Sequence, residues 1–378
     1  MRRPWLIGLL LVVACGDPAV ALPAAVQAVI DGGEQSRWMT TGNDPWEVFV
    51  CHVRPDSQSH FYAGLPLRVS LTPTDVAAIL DEKVGAYFEV LSHGAYRPRF
   101  TAGGEVNIAT GDEPHTCVDK ALAAARDSAH GVIAIADAEH NADVEGGFAN
   151  PGSVCARPPC AASVTRRSAY VGAADFSAEW GDRPPMDLVE HEIGHALGWP
   201  HSGYDELLRQ PALSALDLMG NSAAPRDVHP DRRDAPATLG INLLEAGWLS
   251  PSTVAVIPAS GDTVTLSPSN RSSVHTSSVS ATSGTRLAVI ELDEHTFITV
   301  ELLTADGFDD HLPATGVAVH LIEDNEAART QTPLVGVAPY DNLLTPGEAF
   351  VGHGWHIAVA AGWQATMQPS DDAPTVSG

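Results

Sequence analysis

Apolar residues follow two spacings over the first two thirds of the chain and only one over the last third. Residues 47–53, Glu-Val-Phe-Val-Cys-His-Val, have the composition of a strand, and residues 74–91 then carry apolar side chains at helical spacing. Boundary signals accompany that helix: Pro73 ahead of a Thr cap, Asp75 in the first turn and Gly94 near the end. Residues 98–108 predict a second strand, residues 117–129 a second helix, and residues 131–137, Gly-Val-Ile-Ala-Ile-Ala-Asp, a buried strand. An extended segment at 168–176 precedes a further helix at 186–197. Strands that alternate with helices predict an α/β or α+β layered domain.

After Leu249 the helical spacing ends. Short alternating runs at 263–266, 287–292, 297–302 and 317–322 predict an all-β, sandwich-like C-terminal domain over 251–378. The Ser- and Thr-rich stretch 267–284 reads as a long surface loop inside it or as a linker between domains. Residues 22–44 mix Ala, Pro, Gly and polar residues without sustained periodicity, and read as a tether or short pro-segment with little core. Residues 45–250 are left as the first globular domain, so the fold class expected is α+β followed by an all-β unit.

At the N-terminus, Arg2 and Arg3 precede an apolar run from 5 to 14 that suits a secretory leader and is too short to span a bilayer. The run ends Val12-Val13-Ala14-Cys15, similar to a bacterial lipobox, in which Cys15 would be lipidated and tether the chain to a membrane. Ala19-Val20-Ala21 offers ordinary cleavage instead. On either reading residues 1–21 are a leader, and the rest is exported, extracellular or at the cell surface.

Composition adds three constraints. With 378 residues, 44% hydrophobic and 18% charged, the chain can build a sizeable core. Its net charge of −26, from 21 Lys plus Arg against 47 Asp plus Glu, excludes a basic nucleic-acid footprint and names no partner by itself. Setting Cys15 aside, Cys51, Cys117, Cys155 and Cys160 remain, and an even number in an exported chain predicts two disulfides. Cys155 and Cys160 could close a small loop, which would pair Cys51 with Cys117, although four cysteines permit three connectivities.

One segment carries chemistry: Glu190-His191-Glu192-Ile193-Gly194-His195-Ala196-Leu197-Gly198-Trp199-Pro200-His201. His191 and His195 stand four apart on the predicted helix, a rotation of about 400°, which puts both imidazoles on one face. Gly198 allows the backbone to leave the helix through a conformation that a Cβ penalises, and His201 can return as a third ligand. Three imidazoles with an open fourth position make a catalytic zinc site. Glu192, beside the first of them, is placed to take a proton from water there.

The spacing His-Glu-x-x-His-x-x-Gly-x-x-His resembles the extended motif of the metzincin metallopeptidases at every specified position. The resemblance continues in Leu216-Asp217-Leu218-Met219-Gly220, where Met219 would be the methionine of the tight turn beneath the metal. Residues 239–249, Val300-Glu301 and residues 307–317 look like the gametolysin and immune-inhibitor type of secreted peptidase. What this implies is a twisted mixed sheet with an active-site helix, and Zn2+ held by His191, His195 and His201. It further implies Glu192 as catalytic base, Gly198 and Met219 as structural support, and a protein or peptide substrate. Residues 168–176 would be the edge strand along which that substrate lies, bound by strand addition. Astacin- and serralysin-like members place a Tyr two residues after the methionine, whereas Asn221 stands here, so three histidines and water are expected.

Other residues carry less. Cys51, in Val50-Cys-His-Val-Arg-Pro-Asp56, has a faint likeness to a cysteine switch, against which stand its strand-like run and the disulfide that the even cysteine count predicts. Asp137, Asp143 and Glu145, and again Asp306, Asp309 and Asp310, offer oxygen ligands for Ca2+, but neither spacing completes a calcium loop and solvated loop acids are the plainer reading. The remaining histidines, among them His229, His320 and His356, read as ordinary surface or core residues. The expected function is a secreted or surface-anchored zinc endopeptidase. Its rivals are a noncatalytic surface lipoprotein with a structural zinc site, whose β domain binds a polymer or host protein, and a zinc amidase acting on non-protein substrates. The intact Glu192 speaks against the first rival.

Overall fold

The computed structural model of the chain describes residues 21–35, 40–54, 68–108, 112–138, 146–152, 166–203, 214–271, 284–324, 329–335, 343–371 and 375–377. Its architecture is mixed α+β, with three sheets of five strands each among the described residues. The first sheet runs in the order β2 (Tyr96–Ile108), β1 (Gly42–Val53), β3 (Gly131–Ala136), β5 (Arg167–Val171), β4 (Gly147–Asn150). All of its pairs are parallel except that of β4, which lies antiparallel to β5 on the edge. Every residue of β3 is buried, as a central parallel strand covered on both faces requires.

Alternation along β1 divides the core. Trp46, Val48 and Val50 join Ile133, Ile135, Ala169 and Val171 in a large cluster on one face. Phe49, Cys51 and Val53 join Val132, Ala134 and Tyr170 on the other. The second face is covered by α4 (Pro114–Ala124), tied to β1 by the disulfide Cys51–Cys117. That bond takes up one of the permitted pairings and leaves no free thiol at Cys51; Cys155 and Cys160 lie outside the described residues. The first face is covered by α2 (Pro73–Glu82), α3 (Val84–Leu91), α5 (Asp187–Ala196) and α7 (Gly240–Glu245), with the short α6 (Ala224–Val228) between the last two in the chain.

Two sequence expectations need correction here. Residues 74–91 form two helices that meet at Lys83, and the cap is Thr72, whose hydroxyl accepts from the Asp75 amide at 3.1 Å with Pro73 in the first turn. Residues 22–44 are not a coreless tether: α1 (Ala24–Gln35) buries Ala25, Val26 and Val29 in the large cluster and packs against α7. Its apolar face is built from small residues over a single short helix, which gave no sustained period. Residues 1–20, with Cys15, and residues 36–39 lie outside the described residues.

Beyond α7 the described residues form strands and short 3-10 turns only. The second sheet runs β11 (Arg329–Pro333), β10 (Gly316–Asp324), β9 (Thr296–Leu303), β8 (Leu287–Glu291), β6 (Val254–Val256). The third runs β15 (Thr375–Ser377), β12 (Ala349–Gly352), β13 (Trp355–Ala360), β14 (Gln364–Pro369), β7 (Asp262–Thr265). Ile290, Ile298, Val300 and Val319 of the second sheet pack on Ile357, Val359 and Met367 of the third. The opposite face of the second sheet contributes Leu287, Val289, Phe297 and Ile322 to the large cluster of the first layer. The all-β region is therefore not a detached unit, because its middle sheet closes the core beneath α5 and α7. Most of the Ser- and Thr-rich stretch, residues 272–283, lies outside the described residues.

Candidate metal centre

α5 carries His191 and His195 one helical turn apart, and burial of Val189, Ile193 and Ala196 fixes which face of the helix turns toward the core. The helix stops where Gly198 takes φ +96°, and the Trp199 amide folds back on the Gly194 carbonyl at 3.1 Å. This turn brings His201 round, so that its Nε2 lies 3.2 Å from Nε2 of His191 and 3.0 Å from Nε2 of His195. Three corners of a tetrahedron with metal–nitrogen bonds of roughly 2.0–2.1 Å are about 3.3 Å apart, so the donors fit a single zinc ion. Among the described residues no other group of three or more ligating side chains converges this closely.

Protonation follows from the surroundings. His191 Nδ1 donates to the Leu218 carbonyl and His195 Nδ1 to the Trp199 carbonyl, each at 2.8 Å. Each bond holds the tautomer that turns the Nε2 lone pair toward the metal position. Burial, reinforced by the neighbouring imidazoles, pushes His191 down to about 3, and burial with the adjacent His201 pushes His195 down to about 4. Both are neutral donors at physiological pH.

Beneath the helix, the dipeptide Leu218-Met219 serves two of these histidines at once. Its first carbonyl orients His191, and its second accepts the Ser202 amide at 2.9 Å, next to His201. Met219 is fully buried against α5 at Gly194, where a Cβ would collide with its sulfur. At Gly220 a Cβ would run into the Ser214 carbonyl, so both glycines are demanded by close approach. Asn221 is bound into the turn that follows, its side chain accepting from the Ala223 amide and donating to Asp227.

Glu192 is 3% exposed and packs against the edge strand β4: a Cβ added at Gly147 would lie 2.6 Å from its Oε1. Residues 168–176 were expected to form that edge, but β5 is paired on both sides and the edge is β4. The four residues of β4, Gly-Phe-Ala-Asn, are too few and too weakly β-forming to announce a strand. Neither Gly147 nor its contact with Glu192 carried a sequence signal beyond the pair Gly146-Gly147.

Four buried carboxylates brace the segment from Ala235 to Gly240. Glu190 accepts the Ala235 amide at 2.7 Å, Asp309 that of Ala237 at 2.9 Å, Asp217 that of Leu239 at 3.3 Å, and Glu301 that of Gly240 at 2.9 Å. Burial raises all four, Glu301 and Asp309 to about 7. The acids weighed for calcium are similarly engaged: Asp309 by Ala237 and Asn270, Asp306 by Arg271, Asp310 by Arg232, and Asp137 by the Val53 amide, His52 and Arg68. Asp143 and Glu145 lie outside the described residues. No protein-family model matches the chain, and no curated protein matches it.

Proposed function

We propose that this protein is an exported, zinc-dependent endopeptidase of the metzincin type. The observation that carries the reading is the convergence of three imidazole Nε2 atoms, with Glu192 following the first of them in sequence and lying against β4, the last strand of its sheet among the described residues. When bound, zinc supplies Lewis acidity that lowers the pKa of a water toward about 7 and polarises a carbonyl. His191, His195 and His201 would hold the ion through their Nε2 atoms, and the carbonyls of Leu218 and Trp199 keep two of the rings from turning. Glu192 takes the proton of the attacking water and returns it to the departing amine. Among the described residues nothing pairs with the outer edge of β4, so an extended peptide can add there as a further strand, beside Glu192. The leader reading makes the site an external one. No described helix is long and apolar enough to cross a membrane.

The test is hydrolysis of casein by the purified protein and by Glu192→Gln, with bound zinc measured for both. We expect one zinc per chain in each, and a loss of about 100- to 10,000-fold in turnover for the variant. Activity retained in Glu192→Gln would remove the base from the mechanism. A zinc-loaded wild type that cleaves cell-wall fragments and no protein would favour the amidase, and one that cleaves neither would favour a binding protein.

A further inference from the structure

Two of the three histidines sit on α5, whereas His201 is exposed and lies beyond the helix end. The backbone of the two residues that follow it is tied down on both sides. The Ser202 amide is bound by the Met219 carbonyl at 2.9 Å, and the Gly203 amide by the Gln331 carbonyl at 2.7 Å. Ser202 and Gln331 form a parallel bridge, so the ligand loop is threaded between the methionine turn and β11.

We propose that β11 of the C-terminal β region sets the position of the third ligand, and that Gln331 is the positioning residue through which it does so. This inference rests on the metal-centre reading above. Gln331 is 1% exposed, and its side-chain amide donates to Asn242 Oδ1 on α7 at 2.8 Å. Asn242 in turn donates to the Thr238 hydroxyl, and Thr238 donates to Asp217, each at 2.8 Å. Asp217 stands two residues before Met219, so the hydrogen bonds make a ring from the methionine turn through α7 and β11 to the ligand loop and back. Arg329 fastens the same strand to α7, donating to Asn242 at 2.9 Å and to Glu245 at 2.7 Å. A loop held before metal arrives does not have to be ordered on binding, and supporting bonds of this kind govern ligand placement.

The decisive variant is Gln331→Met, which keeps the length of the side chain and removes its donor. Zinc affinity, read by competition with a chromophoric chelator, should fall 10- to 100-fold, as loss of outer-shell partners does. The visible bands of the cobalt-substituted protein, which report ligand number and geometry, should change in intensity. Ile357→Ala, in the third sheet, serves as control and should weaken the fold without moving either readout. Wild-type zinc affinity together with an unchanged cobalt spectrum in Gln331→Met would overturn the inference, as would an equal loss of affinity in Ile357→Ala. Should Gln331→Met fail to fold, hydrogen exchange on zinc-free wild type decides: a protected Gly203 amide supports the inference, and exchange at the rate of an unstructured chain overturns it. A wild type that binds no zinc would overturn the metal centre itself, and this inference with it.

Discussion

The second sheet buries both of its faces, and they are built differently. Toward the third sheet it presents Ala288, Ile290, Ile298, Val300, Leu302, Val317 and Val319, apolar throughout. Toward the first layer Leu287, Val289, Phe297 and Ile322 share the surface with Thr299, Glu301 and His320, none more than 1% exposed. An apolar face is satisfied by any arrangement that fills the volume, whereas a buried polar group that is hydrogen-bonded holds one particular neighbour in place. Of these polar groups Glu301 finds partners, the Gly240 amide and the Ser269 hydroxyl, and its bond to Gly240 ties the second sheet to the start of α7. The apolar face supplies stability of no particular register.

The largest effect is expected from a cavity on the apolar side. Ile298→Ala should cost about 2–5 kcal/mol in denaturant unfolding while leaving zinc affinity of the folded protein unchanged. A parallel loss of affinity would mean that the two faces are not separate in function.

The next effect is one of pH, and its sign differs between groups. Burial holds His320 at about 4 against an ordinary 6.5, so the stability tied to its neutral form is complete above about 6.5 and lost as the pH falls through about 4. Burial lifts Glu301 and Asp309 to about 7 from ordinary values of 4.5 and 3.8, so the stability tied to their protonated forms is complete below those values and lost as the pH rises through about 7. Unfolding of the zinc-free protein across pH 4–8 should therefore show a shallower acid decline in His320→Leu and a shallower decline toward pH 7 in Glu301→Gln. Ile298→Ala should keep the wild-type shape at a constant offset, and a changed shape there would assign titration to the wrong face. The smallest effect expected is that of Ser269→Ala, which removes the hydroxyl bound to Glu301. It should cost about 1 kcal/mol, more above pH 7 than below, because that bond favours the ionised carboxylate.

Legibility in the sequence follows the range of the interaction concerned. The helix of residues 187–196, the glycine exit at 198 and the return of His201 are set by spacing within a dozen residues, and they were readable. Met219 was readable through the motif, and the buried strand at 131–136 through its unbroken apolar run. What escaped was long-range or made of small residues. Gly147 matters because a glutamate from another element needs its missing side chain, and Gln331 because its carbonyl meets an amide of the ligand loop. Neither contact leaves a local pattern. The apolar face of α1 is made of Ala and Val within one short helix; the pairing of Cys51 with Cys117, by contrast, was named among three connectivities and is the one formed.

The bridge between Ser202 and Gln331 also has a direction in time. A chain made from its N-terminus presents α5 and the methionine turn while β11 is still to come, since the two ends of that bridge stand about 130 residues apart. Closing a loop of that size costs little more free energy than closing one half as long, but closure must wait until the residues exist. His191 and His195 can be in place early, and the support of His201 arrives only when residues 329–333 have paired with β10. A chain cut short before residue 333 would carry all three histidines and leave His201 without the backbone bond that β11 gives its neighbour.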